Sequence, residues 1–142
     1  PMNDCLGKTV ERVAKEVVDE NEDYAVLVVV VSDGLENYSG KWQHEPGGDR
    51  TWMHYTDSYI KELIQRLEGT KRWTFTFLGA NVTKQEITDK YAFKLANVAL
   101  FAATAEGTQV GTQNLVGSTH RYMAKRAMNE TECEDFYDHQ DE

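Results

Sequence analysis

Apolar positions recur along the chain in two periods, and each change of period marks a change of element. Leu6, Val10, Val13, Ala14, Val17 and Val18 fall at helical spacing across residues 4–19, with charged residues between them, which predicts an amphipathic helix. Asn3 or Asp4 is placed to cap its start. A polar connection, Asp19 to Asp23, leads into Ala25-Val26-Leu27-Val28-Val29-Val30-Val31. An unbroken, mostly β-branched run of this kind predicts a strand buried on both faces, the pattern of an interior strand in a parallel sheet. The strand stops at Asp33-Gly34, a pair that lets the backbone turn.

Leu35 to Tyr55 has no periodicity and contains Gly40, Pro46, Gly47 and Gly48, so it reads as one long loop, a feature that is often functional. A second helix is predicted over Asp57–Glu68, with Ile60, Leu63, Ile64 and Leu67 on one face and Gly69 as its stop. Trp73-Thr74-Phe75-Thr76-Phe77-Leu78 is the next strand, ending at Gly79-Ala80-Asn81. Thr83-Lys84-Gln85-Glu86 is a capping box that opens a short helix to about Ala92. Asn97–Ala103 reads as a third strand, and a last helix runs from Gly107 or Thr108 to Met128 across glycines 111 and 117. Helices and strands alternate throughout, which predicts an α/β fold: a Rossmann-like, mostly parallel sheet with helices on both faces.

Composition and charge narrow the function. A chain of 142 residues makes one domain, with a formal net charge of −9. That charge argues against nucleic acid and anionic membrane surfaces, because phosphate binding needs clustered Lys and Arg. Part of it is local: Glu130 to Glu142 holds seven carboxylates and no Lys or Arg, expected as a solvated acidic tail (130–142) after an α/β body (1–129). Cys5 and Cys133 are far apart, which indicates neither a zinc site nor a disulfide framework and fits reduced thiols in a cytoplasmic protein. No apolar run is long enough for a membrane span, and no signal peptide is visible. With Pro1 in first position, the native start is expected upstream.

Candidate chemistry is sparse. There is no GxxxxGK[ST] loop, no GxGxxG and no GxSxG, so common nucleotide sites and a hydrolase triad lack support. His44, Glu45, Asp49 and His54 share the long loop without a defensible ligand spacing, and Trp42, Trp52 and Tyr55 either form a contact surface or fold the loop back. Asp33 stands out because ligands in open α/β sheets collect outside the carboxyl ends of strands. It is either a ligand there or a turn cap, and one carboxylate does not complete a magnesium site. Asn81 is expected beside it if the two strands are parallel neighbours.

Val28-Val29-Val30-Val31-Ser32-Asp33-Gly34-Leu35-Glu36-Asn37 resembles the DGxEN strand end of a bacterial and phage subgroup of von Willebrand factor A (VWA) domains. Trp73 to Asn81 resembles that subgroup's W-x-F-x-FLGAN strand, and Pro1-Met2-Asn3-Asp4 resembles the end of its TPLxDA helix start. The resemblance implies a VWA-type sheet that is N-terminally truncated, with its first three strands missing. It also implies an adhesion site for Mg or Mn, of which only Asp33 is present. The Asp-x-Ser-x-Ser loop is absent, and the Thr would precede Pro1.

The expected role is therefore a non-enzymatic protein-interaction or assembly module of VWA type, with an incomplete metal-ion-dependent adhesion site centred on Asp33. Gly34, Glu36, Asn37, Trp42, Trp52 and Asn81 are its candidate ligand or partner surface. In the family's sheet order the missing first strand lies beside residues 25–31, so a second copy or another protein chain is expected to pair with that edge. The alternative is a Mg-dependent enzyme or a small-ligand-binding protein using the crevice at Asp33 and Asn81.

Overall fold

Local signals in the sequence set most of the element boundaries. The computed structural model describes residues 2–20, 23–34 and 55–137. They form α1 (Met2–Glu20), β1 (Val26–Ser32), α2 (Asp57–Glu68), β2 (Trp73–Gly79), α3 (Lys84–Tyr91), β3 (Val98–Leu100) and α4 (Ala105–Ala127), with a 3₁₀ turn at Leu95–Asn97. Thr56 caps α2 by accepting the Tyr59 N–H, and Thr104 caps α4 by accepting the Gly107 N–H. Thr83 and Glu86 form the reciprocal capping box of α3. None of the described helices is long and apolar enough to cross a membrane.

The three described strands are parallel, in the order β1-β2-β3. Val26 lies opposite Trp73 and Ser32 opposite Gly79, while Phe77 lies opposite Val98 and Gly79 opposite Leu100. The period-2 alternation of β2 sends Trp73, Phe75 and Phe77 to one face, where they meet Leu6 and Val10 of α1, Ile60, Leu63 and Ile64 of α2, and Ile87 and Tyr91 of α3. Phe75 and Phe77 are wholly buried, and each such side chain contributes roughly 1.5–3 kcal/mol. The opposite face is smaller: Leu78 and Ala99 meet Tyr122 of α4, with Cys133, Phe136 and Tyr137. Helices thus lie on both faces, as the alternation of elements predicts.

Several expectations are corrected. Among the described residues β1 is an edge, as the resemblance implies, rather than the interior strand its apolar run alone predicts: it is half-buried, with Val31 60% exposed. The interior strand is β2, whose Thr74 and Thr76 are fully buried because both hydroxyls are bonded. Thr74 Oγ1 accepts the Cys133 N–H, and Thr76 Oγ1 donates to the Val28 carbonyl. β3 has only three residues, since Asn97 belongs to the 3₁₀ turn before it. Asn3 and Asp4 lie inside α1 and do not cap it; they hold the start of α2, through Asn3 Nδ2 to Asp57 Oδ1 (2.8 Å) and the Tyr55 N–H to Asp4 Oδ1 (3.3 Å). Gly69 ends α2 as expected, but in a right-handed conformation, and the positive φ after the helix falls on Lys71.

The acidic stretch is not simply solvated. Its carboxylates Glu134 and Asp135 face water, while Cys133, Phe136 and Tyr137 on either side of them are buried against the sheet. Asn97 is the clasp: Nδ2 donates to the Cys133 carbonyl (3.1 Å) and Oδ1 accepts the Phe136 N–H (2.8 Å). Lys94–Glu134 and Lys125–Asp135, each at 3.0 Å, pin the segment from outside.

Candidate functional site

At the carboxyl ends of the strands, the chain leaves β1 through Ser32-Asp33-Gly34. Ser32 Oγ donates to the Gly34 carbonyl (2.7 Å) and accepts the Gly34 N–H (3.3 Å), which closes the turn locally. Parallel pairing brings the end of β2 alongside. Asn81 adopts φ 59°, a left-handed conformation that Asn tolerates, and its Nδ2 donates to the Asp33 carbonyl at 3.0 Å. The expected proximity of Asp33 and Asn81 is therefore present, but the amide nitrogen of Asn81 is spent on tying the two strand ends together.

The Asp33 carboxylate is exposed. Among the described residues, no group of three or more His, Cys, Asp or Glu side chains is arranged to hold a metal ion. Gly34 lies in the turn, and no described residue beyond its chain neighbours stands within 4 Å of where its Cβ would be. Glu36, Asn37, Trp42 and Trp52 lie outside the described residues, as do His44, Glu45, Asp49 and His54.

A second feature lies beside the turn. The β1–β2 ladder begins with the Val26 N–H on the Arg72 carbonyl (2.8 Å) and ends with the Ala80 N–H on the Ser32 carbonyl (3.1 Å). In a parallel pair the bonding residues alternate, so residues 26, 28, 30 and 32 direct their backbone groups at β2. The N–H and C=O groups of Leu27, Val29 and Val31 consequently point at the outer edge, where no described strand pairs with them.

Along this edge runs a groove of about 610 Å³, walled by β1 with Trp73 on one side and by Met2, Cys5, Leu6, Thr9, Val10 and Val13 of α1 on the other. Among the described residues, no charged side chain lines it. Cys5 is exposed, whereas Cys133 is buried, and that burial pushes the Cys133 thiol above its usual range.

Reading only the strongest apolar positions of α1 identifies the core stripe but misses Met2, Cys5 and Thr9. Spacing contains the signal: 2, 5–6, 9–10 and 13 recur every three or four residues, a stripe wider than the core contact needs. No protein-family model matches the chain, and neither does any curated protein or solved structure.

Proposed function

We propose that the chain is a non-enzymatic protein-interaction or assembly module of VWA type, and that another polypeptide pairs with the outer edge of β1. The observation that carries this reading is the edge itself: outward backbone groups of Leu27, Val29 and Val31, set in an apolar run, without a described partner strand. A flat apolar edge is a template for strand addition, in which main-chain bonds supply affinity and alternate side chains supply specificity. Each ladder bond contributes about 0.5–1.5 kcal/mol net, and the uncharged groove beside the edge receives the incoming side chains. Asp33 occupies the position of the adhesion-site aspartate in the resemblance, while the Asp-x-Ser-x-Ser loop of that site is absent from the sequence.

Amide hydrogen exchange at Leu27, Val29 and Val31 tests the pairing. Slow exchange at these three amides means the edge is covered in solution. Slow exchange of the same amides in a particle that sediments as a monomer, where only the chain itself can cover the edge, would sink the reading. A calorimetric titration with Mg²⁺ and Mn²⁺, with Asp33→Ala as control, addresses the strand end. Saturable heat that vanishes in the variant makes partner binding metal-dependent; no heat makes Asp33 a turn residue and confines the interaction to the edge.

A further inference from the structure

We propose that residues 131–137 are a detachable strap, held in place while Glu68 keeps its proton and loosened when Glu68 loses it. The segment closes one face of the sheet without belonging to any helix or strand. It is fastened at intervals. Thr131 Oγ1 donates to the Lys71 carbonyl (2.7 Å), the Cys133 N–H to Thr74 Oγ1 (3.2 Å), and the Tyr137 N–H to the Ala96 carbonyl (3.0 Å). Asn97 holds the middle through its two amide bonds. The strap joins α4 through residues 128–130, where Asn129 takes a left-handed conformation (φ 65°), so it can swing away without unwinding the helix. Its release uncovers Leu78, Ala99 and Tyr122 and admits water to the Cys133 thiol.

The junction between the strap and α2 holds one carboxyl too many. Glu68 is half-buried in the last turn of α2. It faces Lys71 from the turn that follows, Lys94 from the chain after α3, and Glu132 and Glu134 from the strap. Both ammonium groups are already engaged by the strap, Lys71 with Glu132 at 3.3 Å and Lys94 with Glu134 at 3.0 Å. Three carboxylates on two cations leave one without a counter-charge, and a half-buried carboxylate in that position is costly. The docked strap therefore favours the neutral acid at Glu68.

Once ionised, Glu68 competes for Lys71 and Lys94 and repels Glu132 and Glu134, and each of these effects acts against the strap. Release removes the two strap carboxylates and leaves Glu68 with both lysines and more water, so the open state favours the charged form. Whatever the strap does to the proton, the proton does to the strap. In the docked state burial, with Glu132 and Glu134 adding to it against Lys94 and Lys71, pushes the Glu68 carboxyl up to about 7 from its ordinary 4.5. Docking is then tightest below about 4.5, weakens as pH rises between these values, and is weakest above about 7.

The test reads local opening through the two thiols. Cys5 is exposed and Cys133 is buried in the docked strap. The ratio of their labelling rates by one thiol reagent therefore reports opening and cancels the reagent's own dependence on pH. In the wild type the ratio of Cys133 to Cys5 labelling is expected to rise roughly tenfold or more from pH 5.5 to 8. Glu68→Gln, neutral at every pH, is expected to hold the ratio at its low-pH value throughout. Amide exchange separates release of the strap from unfolding: Phe136 and Tyr137 lose protection over this range while Phe77 in β2 keeps it.

A flat ratio in the wild type overturns the proposal. So does a rise that persists in Glu68→Gln, because another group then drives it. Loss of protection at Phe77 in step with Phe136 also overturns it, since the whole fold and not the strap is then opening.

Discussion

Two residues show how closely the helices depend on single atoms. Gly7 lies under the ring of Tyr55, and a Cβ there would collide with Tyr55 Cδ1. Gly7→Ala would gain helix propensity of up to about 1 kcal/mol, but it must displace a buried ring. Overpacking of this kind costs about 1–3 kcal/mol, so the variant is expected to melt at a lower temperature than the wild type in a calorimetric scan. Asn97 is the second. Its amide satisfies one buried carbonyl and one buried N–H of the 131–137 segment. Asn97→Ala orphans both, at roughly 1–3 kcal/mol each. The expected outcome is release of the segment, read as Cys133 becoming as reactive toward a thiol reagent as the exposed Cys5; in the wild type only one thiol should react quickly. Neither dependence was legible in the sequence. A glycine in a helical stretch and an asparagine at a predicted strand start carry no local mark of a contact formed about 40 or more residues away.

At the scale of elements, α2, β2 and α3 were almost fully legible, because each has its own period and its own cap. β1 and β2 exchanged roles for a physical reason. An apolar run signals burial, yet burial of an edge strand can await a partner, and buried threonines read as polar although their hydroxyls are satisfied within the sheet. The 131–137 segment was read from its carboxylates, while the three residues between them that make the contact passed as part of a tail. Its docking should depend on pH. Glu68, in the last turn of α2, is pushed up to about 7, first by burial, then by Glu132 and Glu134 of the segment, against the opposing pull of Lys94 and Lys71. A carboxyl raised in the folded state holds its proton there while the unfolded chain releases it, so its contribution is full below about 4.5 and is lost as pH rises through about 7. The melting temperature of the wild type is expected to fall from pH 5 to pH 8, and Glu68→Gln is expected to flatten that slope; an unchanged slope would remove Glu68 from the account. Glu134 and Asp135 act oppositely, held below their usual range by hydrogen bonds from Lys94 and Lys125, so what they add is lost only in more acidic solution.

For the whole molecule, charge and apolar surface are arranged unequally. The face under α1, α2 and α3 has a continuous aromatic and aliphatic core, while α4 leaves Val110, Val116 and Met123 exposed over the thinner one. Of the candidate site, the approach of Asn81 to Asp33 was legible because strand order and strand ends follow from alternation of elements. The groove was not, since it depends on which flank of α1 faces an edge, and a helix shows its apolar stripe without showing what stands across from it.

The clasp by Asn97 also has a temporal side. The second face of the sheet is closed by Cys133, Phe136 and Tyr137, which a ribosome adds long after β2. At about 5–20 residues per second, the nascent chain carries a half-covered sheet and an apolar strand for on the order of several seconds. During synthesis the molecule is therefore most exposed to misassociation between the appearance of Gly79 and that of Tyr137, and factors that shield nascent chains would matter most in that interval.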